Sequence, residues 1–163
     1  MDDIPSLKWV LFVCTGNACR SQMAEALLRH MGRGRFEACS AGSHPAGFIH
    51  PIAEEAMKEM GVSIVGQYSK SWNEFADKEM DAVITLCDNA AATPCPNWPG
   101  NAIRAYWPLP DPSFHDGDHT EQLRFALCVA KRIEQKIEGM LEIDFDTESP
   151  EAIQAKLAAL AEI

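Results

Sequence analysis

The sequence predicts an α/β fold: a four-stranded, mostly parallel sheet with helices on both faces and an extra C-terminal helix. Two observations predict it. Apolar runs of strand length alternate with stretches whose apolar residues recur at helical spacing, the order of consecutive βα units. The runs 8–13 and 82–87 show continuous rather than alternating hydrophobicity, as strands covered on both faces do.

The first strand is expected at "KWVLFV" (8–13), followed by a helix over about 20–31, where Met23, Leu27, Leu28 and Met31 fall at helical spacing. "FEACSA" (36–41) reads as the second strand, and a helix over about 51–60 begins at Pro51. "AVITLC" (82–87) and "IRAYW" (103–107) are the third and fourth strands. A long helix starts near "DHTE", where Asp118 and Glu121 suit a capping box, and Leu123, Leu127, Ala130, Ile133, Ile137 and Leu141 carry it for about six turns. The last helix, near 150–162, has Pro150 at its first turn. Between the third and fourth strands, 88–102 holds three prolines and a glycine and reads as a loop or marginal helix; the proline-rich 107–119 joins the last strand to the long helix.

With 163 residues, no repeat and no linker, the chain is expected to form one domain, 1–163, with 142–163 a C-terminal helical extension. No run of 18 apolar residues predicts a membrane span, and "MDDIPSLK" has no apolar signal core, so a cytoplasmic protein is expected. Twenty-four acids against 14 bases give a net charge of -10, which argues against nucleic acid as partner and repels anions at long range. An anion site here must work through local geometry. The six cysteines are irregularly spaced, form no C-x-x-C pair and match no zinc pattern, so no metal and no cofactor is expected. They are either small core hydrophobes or agents of thiol chemistry.

The segment "VCTGNACRS" (13–21) carries the most chemistry. In parallel α/β sheets, ligands bind beyond the carboxyl ends of strands, where helix N-termini present free N–H groups. Cys14 ends the first strand, while Arg20 and Ser21 open the next helix. Thr15, Gly16, Asn17, Ala18 and Cys19 between them can curl so that N–H groups converge on one point; with Arg20 and Ser21 they form a candidate oxyanion cradle. The Arg20 fork suits two oxygens of a tetrahedral anion. The same surroundings are expected to lower the Cys14 pKa from about 8.5 toward about 3.5–7.5, with Ser21 placed to hydrogen-bond the sulfur. A buried structural cysteine beside an exposed helix-terminal arginine is the ordinary alternative for C-x5-R alone. The flanking strand and helix, with Gly-Asn inside, favour the nucleophile.

C-x5-R-S near the amino terminus resembles the catalytic loop of low-molecular-weight protein tyrosine phosphatases. The longer "CTGNACRSQMAE" resembles that of thioredoxin-coupled-type arsenate reductases of the same fold. The likeness extends through "SAGS" (40–43), "AMKEMGV" (56–62), "VITLCDNA" (83–90), "CPNWPG" (95–100) and "WPLPDP" (107–112), covering about residues 8–140. The resemblance implies a general acid at Asp111, which two flanking prolines restrain. It also implies a relay: Cys14 attacks arsenate, Cys87 then attacks Cys14 and releases arsenite, and Cys95 attacks Cys87. The resulting Cys87–Cys95 disulfide goes to thioredoxin, or to glutaredoxin and glutathione.

Two further readings stay open. A low-molecular-weight phosphatase would need only Cys14, Arg20 and Asp111; a non-catalytic thiol sensor or arsenical-binding protein would use the cysteines as ligands. Cys39 and Cys128 are expected on core faces, and Trp98 and Trp107 in core or rim packing. "HDGDH" (115–119) reads as a solvated turn. Some relatives hold potassium with groups matching Asn17, Glu25 and Ser40, but the acid expected near 70 is absent and Lys70 would oppose a cation.

Overall fold

The computed structural model describes residues 7–86 and 101–163. The expectations for the amino terminus, for 88–100, and for Cys87, Cys95 and Trp98 lie outside the described residues.

Four parallel strands form one sheet in the order β2-β1-β3-β4. They are β1 (Lys8–Cys14), β2 (Phe36–Gly42), β3 (Ala82–Thr85) and β4 (Ile103–Tyr106). Four α-helices accompany them: α1 (Arg20–Met31), α2 (Pro51–Glu59), α3 (His119–Leu141) and α4 (Pro150–Ala159). β3 and β4 stop short of the spans expected from hydropathy, although the hydrogen bonding runs on. Leu86 N–H reaches the Val13 carbonyl and Trp107 N–H the Thr85 carbonyl, both at 2.8 Å.

Alternation along β1 divides the core. Val10 and Phe12 join the buried faces of all four helices, while Leu11 and Val13 join Cys39, Ala41, Met80 and Val83 on the opposite side. That second side is covered, among the described residues, by Trp72 and Phe75 of a 3-10 turn (Trp72–Phe75). Trp107 is fully buried against Phe12 and donates its Nε1–H to the Leu157 carbonyl. Cys128 is a correction: it is exposed, because the buried stripe of α3 runs through Ala126, Val129, Ala130, Ile133 and Ile137 and leaves residue 128 off it.

The helices begin where the sequence supplies acceptors for their free N–H groups. Asp118 accepts from Glu121 N–H at 2.9 Å and Ser149 from Ala152 N–H at 3.1 Å. At α2 the cap is His50, whose Nδ1 accepts from Ile52 N–H at 3.1 Å.

Helix α4 closes the outer edge of β4. The Gln154 side-chain amide pairs with Arg104 as a strand would, accepting from its N–H at 3.4 Å and donating to its carbonyl. Below it, Lys136 is buried from α3 and donates to the backbone oxygens of Leu160, Ala161 and Ile163 at 2.8–3.2 Å. Its charge is thereby spent on backbone dipoles, and burial holds its pKa below the ordinary lysine value, followed by repulsion from Arg132.

Candidate active site

Beyond the carboxyl end of β1 the chain turns through Thr15–Cys19 into α1, and its carbonyls face outward. The loop before α2 holds them in sequence. Ser43 N–H donates to the Cys14 carbonyl (3.3 Å), His44 to Thr15 (2.8 Å), Ala46 to Gly16 (2.9 Å) and His50 to Ala18 (2.9 Å). The remaining carbonyl, Asn17, accepts from Gln22 Nε2 at 3.0 Å. With carbonyls bound on the outside, the N–H groups are left to the inside. Asn17 has φ +47°, the one left-handed non-glycine among the described residues, and it reverses the chain at the loop's centre. Gly42 permits the close approach: a Cβ there would lie 2.5 Å from the Thr15 carbonyl oxygen and 3.0 Å from Asn17 N. Cys19, the N-cap of α1, contributes no side-chain cap, so the first turn faces the loop without a competing acceptor.

The Cys14 sulfur lies at the base of this loop, 3% exposed and 2.8 Å from Ser21 Oγ. Asn17 Nδ2 donates to that hydroxyl at 2.8 Å; either the hydroxyl or a protonated sulfur can donate between Ser21 and Cys14, and to a thiolate it is the hydroxyl that donates. Burial nevertheless pushes the Cys14 thiol above its ordinary value; the Ser21 hydroxyl, the Arg20 charge and the N–H groups of Ser21 and Asn17 pull the other way. The expected depression is thus reversed in this arrangement, because the desolvation of a sealed sulfur outweighs its donors. Cys19 is pushed up in the same way, first by burial and then by Asp111 and Cys14.

Arg20 is turned aside. Its Nη1 donates to the Leu109 carbonyl at 2.8 Å and its Nη2 to Asp111 Oδ2 at 3.2 Å. Asp111 Oδ1 accepts from Ser113 N–H (3.0 Å) and Ser113 Oγ (2.7 Å). These groups surround a cavity of about 700 Å³ with Cys14 and Cys19 inside it and Phe48, His50, Pro110 and Phe114 around its wall. Phe48 and Phe114 are exposed at the rim.

Behind the loop, Ser40 Oγ donates to Glu25 Oε1 at 2.6 Å, and Arg29 pairs with Glu25 from the next turn of α1. Lys70 Nζ stands 3.7 Å from Glu25 Oε1 and donates to the Tyr68 carbonyl at 2.7 Å, while its N–H donates to Asn17 Oδ1 at 2.9 Å. Asn17, Glu25 and Ser40 are therefore gathered at one place, with an ammonium among them. That donor set does not suit a potassium ion.

The structure brings Cys14, Thr15, Gly16, Asn17, Ala18, Cys19, Arg20, Ser21 and Asp111 into one site. Cys87 and Cys95 lie outside the described residues. Sequence reasoning missed Ser113, although Asp-Pro-Ser is a side-chain turn pattern that points to it. It also missed His50 and Gln22; nothing in a polar helix residue announces complete burial.

A parallel α/β sheet with a C-x5-R loop between a central strand and the first helix defines a class of folds. The chain belongs within it to the low molecular weight phosphotyrosine protein phosphatase family, whose model matches residues 9–157. Its curated relatives include the arsenate reductase of Halalkalibacterium halodurans, 36% identical over 83% of this chain and 96% of the relative. The glutaredoxin arsenate reductase of Synechocystis sp. is 35% identical over 83% of this chain and 97% of that protein. Among solved structures, an arsenate reductase in the phosphate binding state aligns with a TM-score of 0.68 at 32% identity, covering 83% of this chain and 97% of the other.

Proposed function

We propose that this chain reduces arsenate to arsenite in the cytoplasm, with Cys14 as nucleophile and Cys87 and Cys95 as a disulfide relay. The observation that carries the reading is the Cys14 sulfur at the base of a loop whose carbonyls all point outward, with Arg20 and Asp111 across the cavity. In that reading, arsenate lies on the N–H groups of Thr15–Ser21 and draws the Arg20 fork onto two of its oxygens. The Cys14 thiolate bonds to arsenic as an oxygen leaves, protonated by Asp111.

Cys87 then attacks the Cys14 sulfur. The S–As electron pair passes to arsenic, which departs as arsenite, and a Cys14–Cys87 disulfide remains. Cys95 attacks Cys87 and frees Cys14; a dithiol of the thioredoxin type, or glutaredoxin with glutathione, reduces Cys87–Cys95 and resets the enzyme. The pairing of Val13 with Thr85 brings the carboxyl ends of β1 and β3 side by side, which supports an attack on Cys14 from the segment that follows β3. Residues 142–163 are read as an addition that braces β4 and α3.

A second activity on aryl phosphate esters is favoured by the cavity, whose volume and aromatic wall exceed what a tetrahedral anion fills. The experiment is arsenate-dependent NADPH consumption with thioredoxin and its reductase, repeated with glutaredoxin, glutathione and glutathione reductase. Turnover with either system supports the proposal and identifies the reductant; no turnover with either refutes it.

A further inference from the structure

Gln22 is fully buried at the start of α1, and its side-chain amide is fully used. Nε2 donates to the Asn17 carbonyl and Asn17 Oδ1, each at 3.0 Å, and to the Tyr68 carbonyl at 2.9 Å. Oε1 accepts from Gln67 Nε2 at 2.8 Å, and the same Gln67 nitrogen reaches the Gln22 carbonyl at 3.0 Å. Gln67 Oε1 accepts in turn from Arg29 Nη1 at 2.8 Å.

The direction of this chain of bonds is fixed. A guanidinium only donates, so the Gln67 carbonyl faces Arg29 and its NH2 faces Gln22. The Gln22 carbonyl therefore faces Gln67, and its NH2 faces Asn17. Asn17 Oδ1 is an acceptor on this account, and also because Lys70 N–H donates to it. Its Nδ2 is left for Ser21 Oγ, whose hydrogen goes to the sulfur when Cys14 is a thiolate and can only accept. Arg29, Gln67 and Gln22 do not touch the cavity, yet together with the Lys70 N–H they hold the oxygen of Asn17 away from Ser21.

We infer that Gln22, oriented by Gln67 and Arg29, is a positioning residue for the Cys14 thiolate: it clamps the left-handed Asn17 and thereby directs the Ser21 hydroxyl hydrogen onto the sulfur. Two features make Gln22 more than a filler of a buried gap. It supplies the donor for Asn17, the one outward carbonyl of the loop that the 43–50 segment does not bind, so the cradle geometry depends on it. It also ties the loop to the 67–70 segment, whose Lys70 N–H is the other anchor of Asn17. Without Gln22 the Asn17 peptide is free to rotate, and a rotated peptide turns an N–H away from both sulfur and anion.

The inference rests on Cys14 being the nucleophile of the proposed function. Its test reads the thiol directly and needs no arsenate turnover. Gln22→Met and Gln67→Met, two neutral replacements of similar length, would be compared with the unsubstituted protein. Cys14 alkylation by iodoacetamide would be followed across pH by peptide mass spectrometry, with circular dichroism and thermal unfolding as controls for the fold. The other titratable groups around the cavity, Cys19, Arg20, His50 and Asp111, stay unchanged in both variants.

Loss of one directed hydrogen bond to a thiolate corresponds to a rise of the alkylation midpoint of up to about one pH unit, or about three- to tenfold slower alkylation below it. That shift is expected in both variants, with phosphate binding weakened in Gln22→Met. A purely structural glutamine would lower the melting temperature and leave the midpoint in place, and that result overturns the inference. A shift confined to Gln22→Met overturns the part assigned to Gln67 and Arg29. If Gln22→Met does not fold, Gln67→Met alone decides: an unmoved midpoint there refutes the relay.

Discussion

Arg20 Nη2 donates to Asp111 Oδ2 at 3.2 Å, so the cation of the Cys14 loop rests on the carboxylate placed across the cavity from the Cys14 sulfur. In this arrangement both Asp111 oxygens accept hydrogen bonds, Oδ1 from Ser113 and Oδ2 from Arg20. An acid needs a proton on one of them. In the proposed reaction, a bound oxyanion that takes the Arg20 fork would leave Oδ2 for that proton, coupling substrate binding to arming of Asp111 as the acid.

Asp111→Asn should therefore separate binding from chemistry. Arsenate turnover is expected to fall by about 10²–10⁴-fold, the usual share of a general acid. Phosphate is expected to bind several-fold tighter, because Arg20 no longer has a carboxylate to hold it. Turnover assays paired with phosphate titration calorimetry check both halves, and near-normal turnover would remove Asp111 from the mechanism.

Cys87→Ser is expected to end thioredoxin- or glutaredoxin-dependent arsenate reduction and to leave hydrolysis of an aryl phosphate in place. Ester hydrolysis needs the Cys14 loop and an acid but no second thiol. Cys14→Ser is expected to end both activities. Parallel assays on the two variants check the relay, which is wrong if Cys87→Ser keeps full reduction.

Gly42→Ala should disturb the site without touching any group that meets substrate. The added methyl would press on the Thr15 carbonyl and on Asn17 N, both backbone atoms that cannot swing away. Overpacking of this kind costs about 1–3 kcal/mol, and here the cradle absorbs it. A lowered melting temperature with a raised KM for arsenate is the expected result.

Alkaline pH should destabilise the fold through its buried thiols. Burial, reinforced by Glu25 and Glu37, pushes Cys39 from an ordinary value of 9.0 to about 12. The folded pKa is the higher one, so the stabilising difference is complete below pH 9 and is lost as pH rises toward 12. Over that window the unfolded thiol ionises while the folded one does not, a slope of up to about 1.4 kcal/mol per pH unit. Denaturant unfolding at several pH values should give a shallower slope for Cys39→Ala than for the unsubstituted chain.

Much of this was legible in the sequence because it depends on local pattern. Continuous apolar runs placed β1 and β3 in the middle of the sheet, and Met23, Leu27 and Leu28 marked the buried side of α1. The Cys14–Arg20 spacing between a strand and a helix located the loop, and the family resemblance of "WPLPDP" pointed to Asp111. The Cys14 pKa was misjudged because spacing counts donors and cannot count the solvent a fold removes. Cys128 was misplaced because its neighbours on α3 are apolar on more than one side. Gln22 and Lys136 escaped notice for a common reason: each is a polar side chain whose burial is compensated by partners 46 and 24 to 27 residues away. No local pattern records such a partner.

The pairing of Gln154 with Arg104 bears on how this protein behaves at high concentration. A parallel sheet ending in an unsatisfied strand offers its outer N–H and carbonyl groups to any extended chain, including another copy of itself. Here a helix from the far end of the chain presents one amide to that edge, and its backbone stands where a fifth strand would add. Shedding α4 would thus turn β4 into an adhesive margin, and self-association is the symptom to expect.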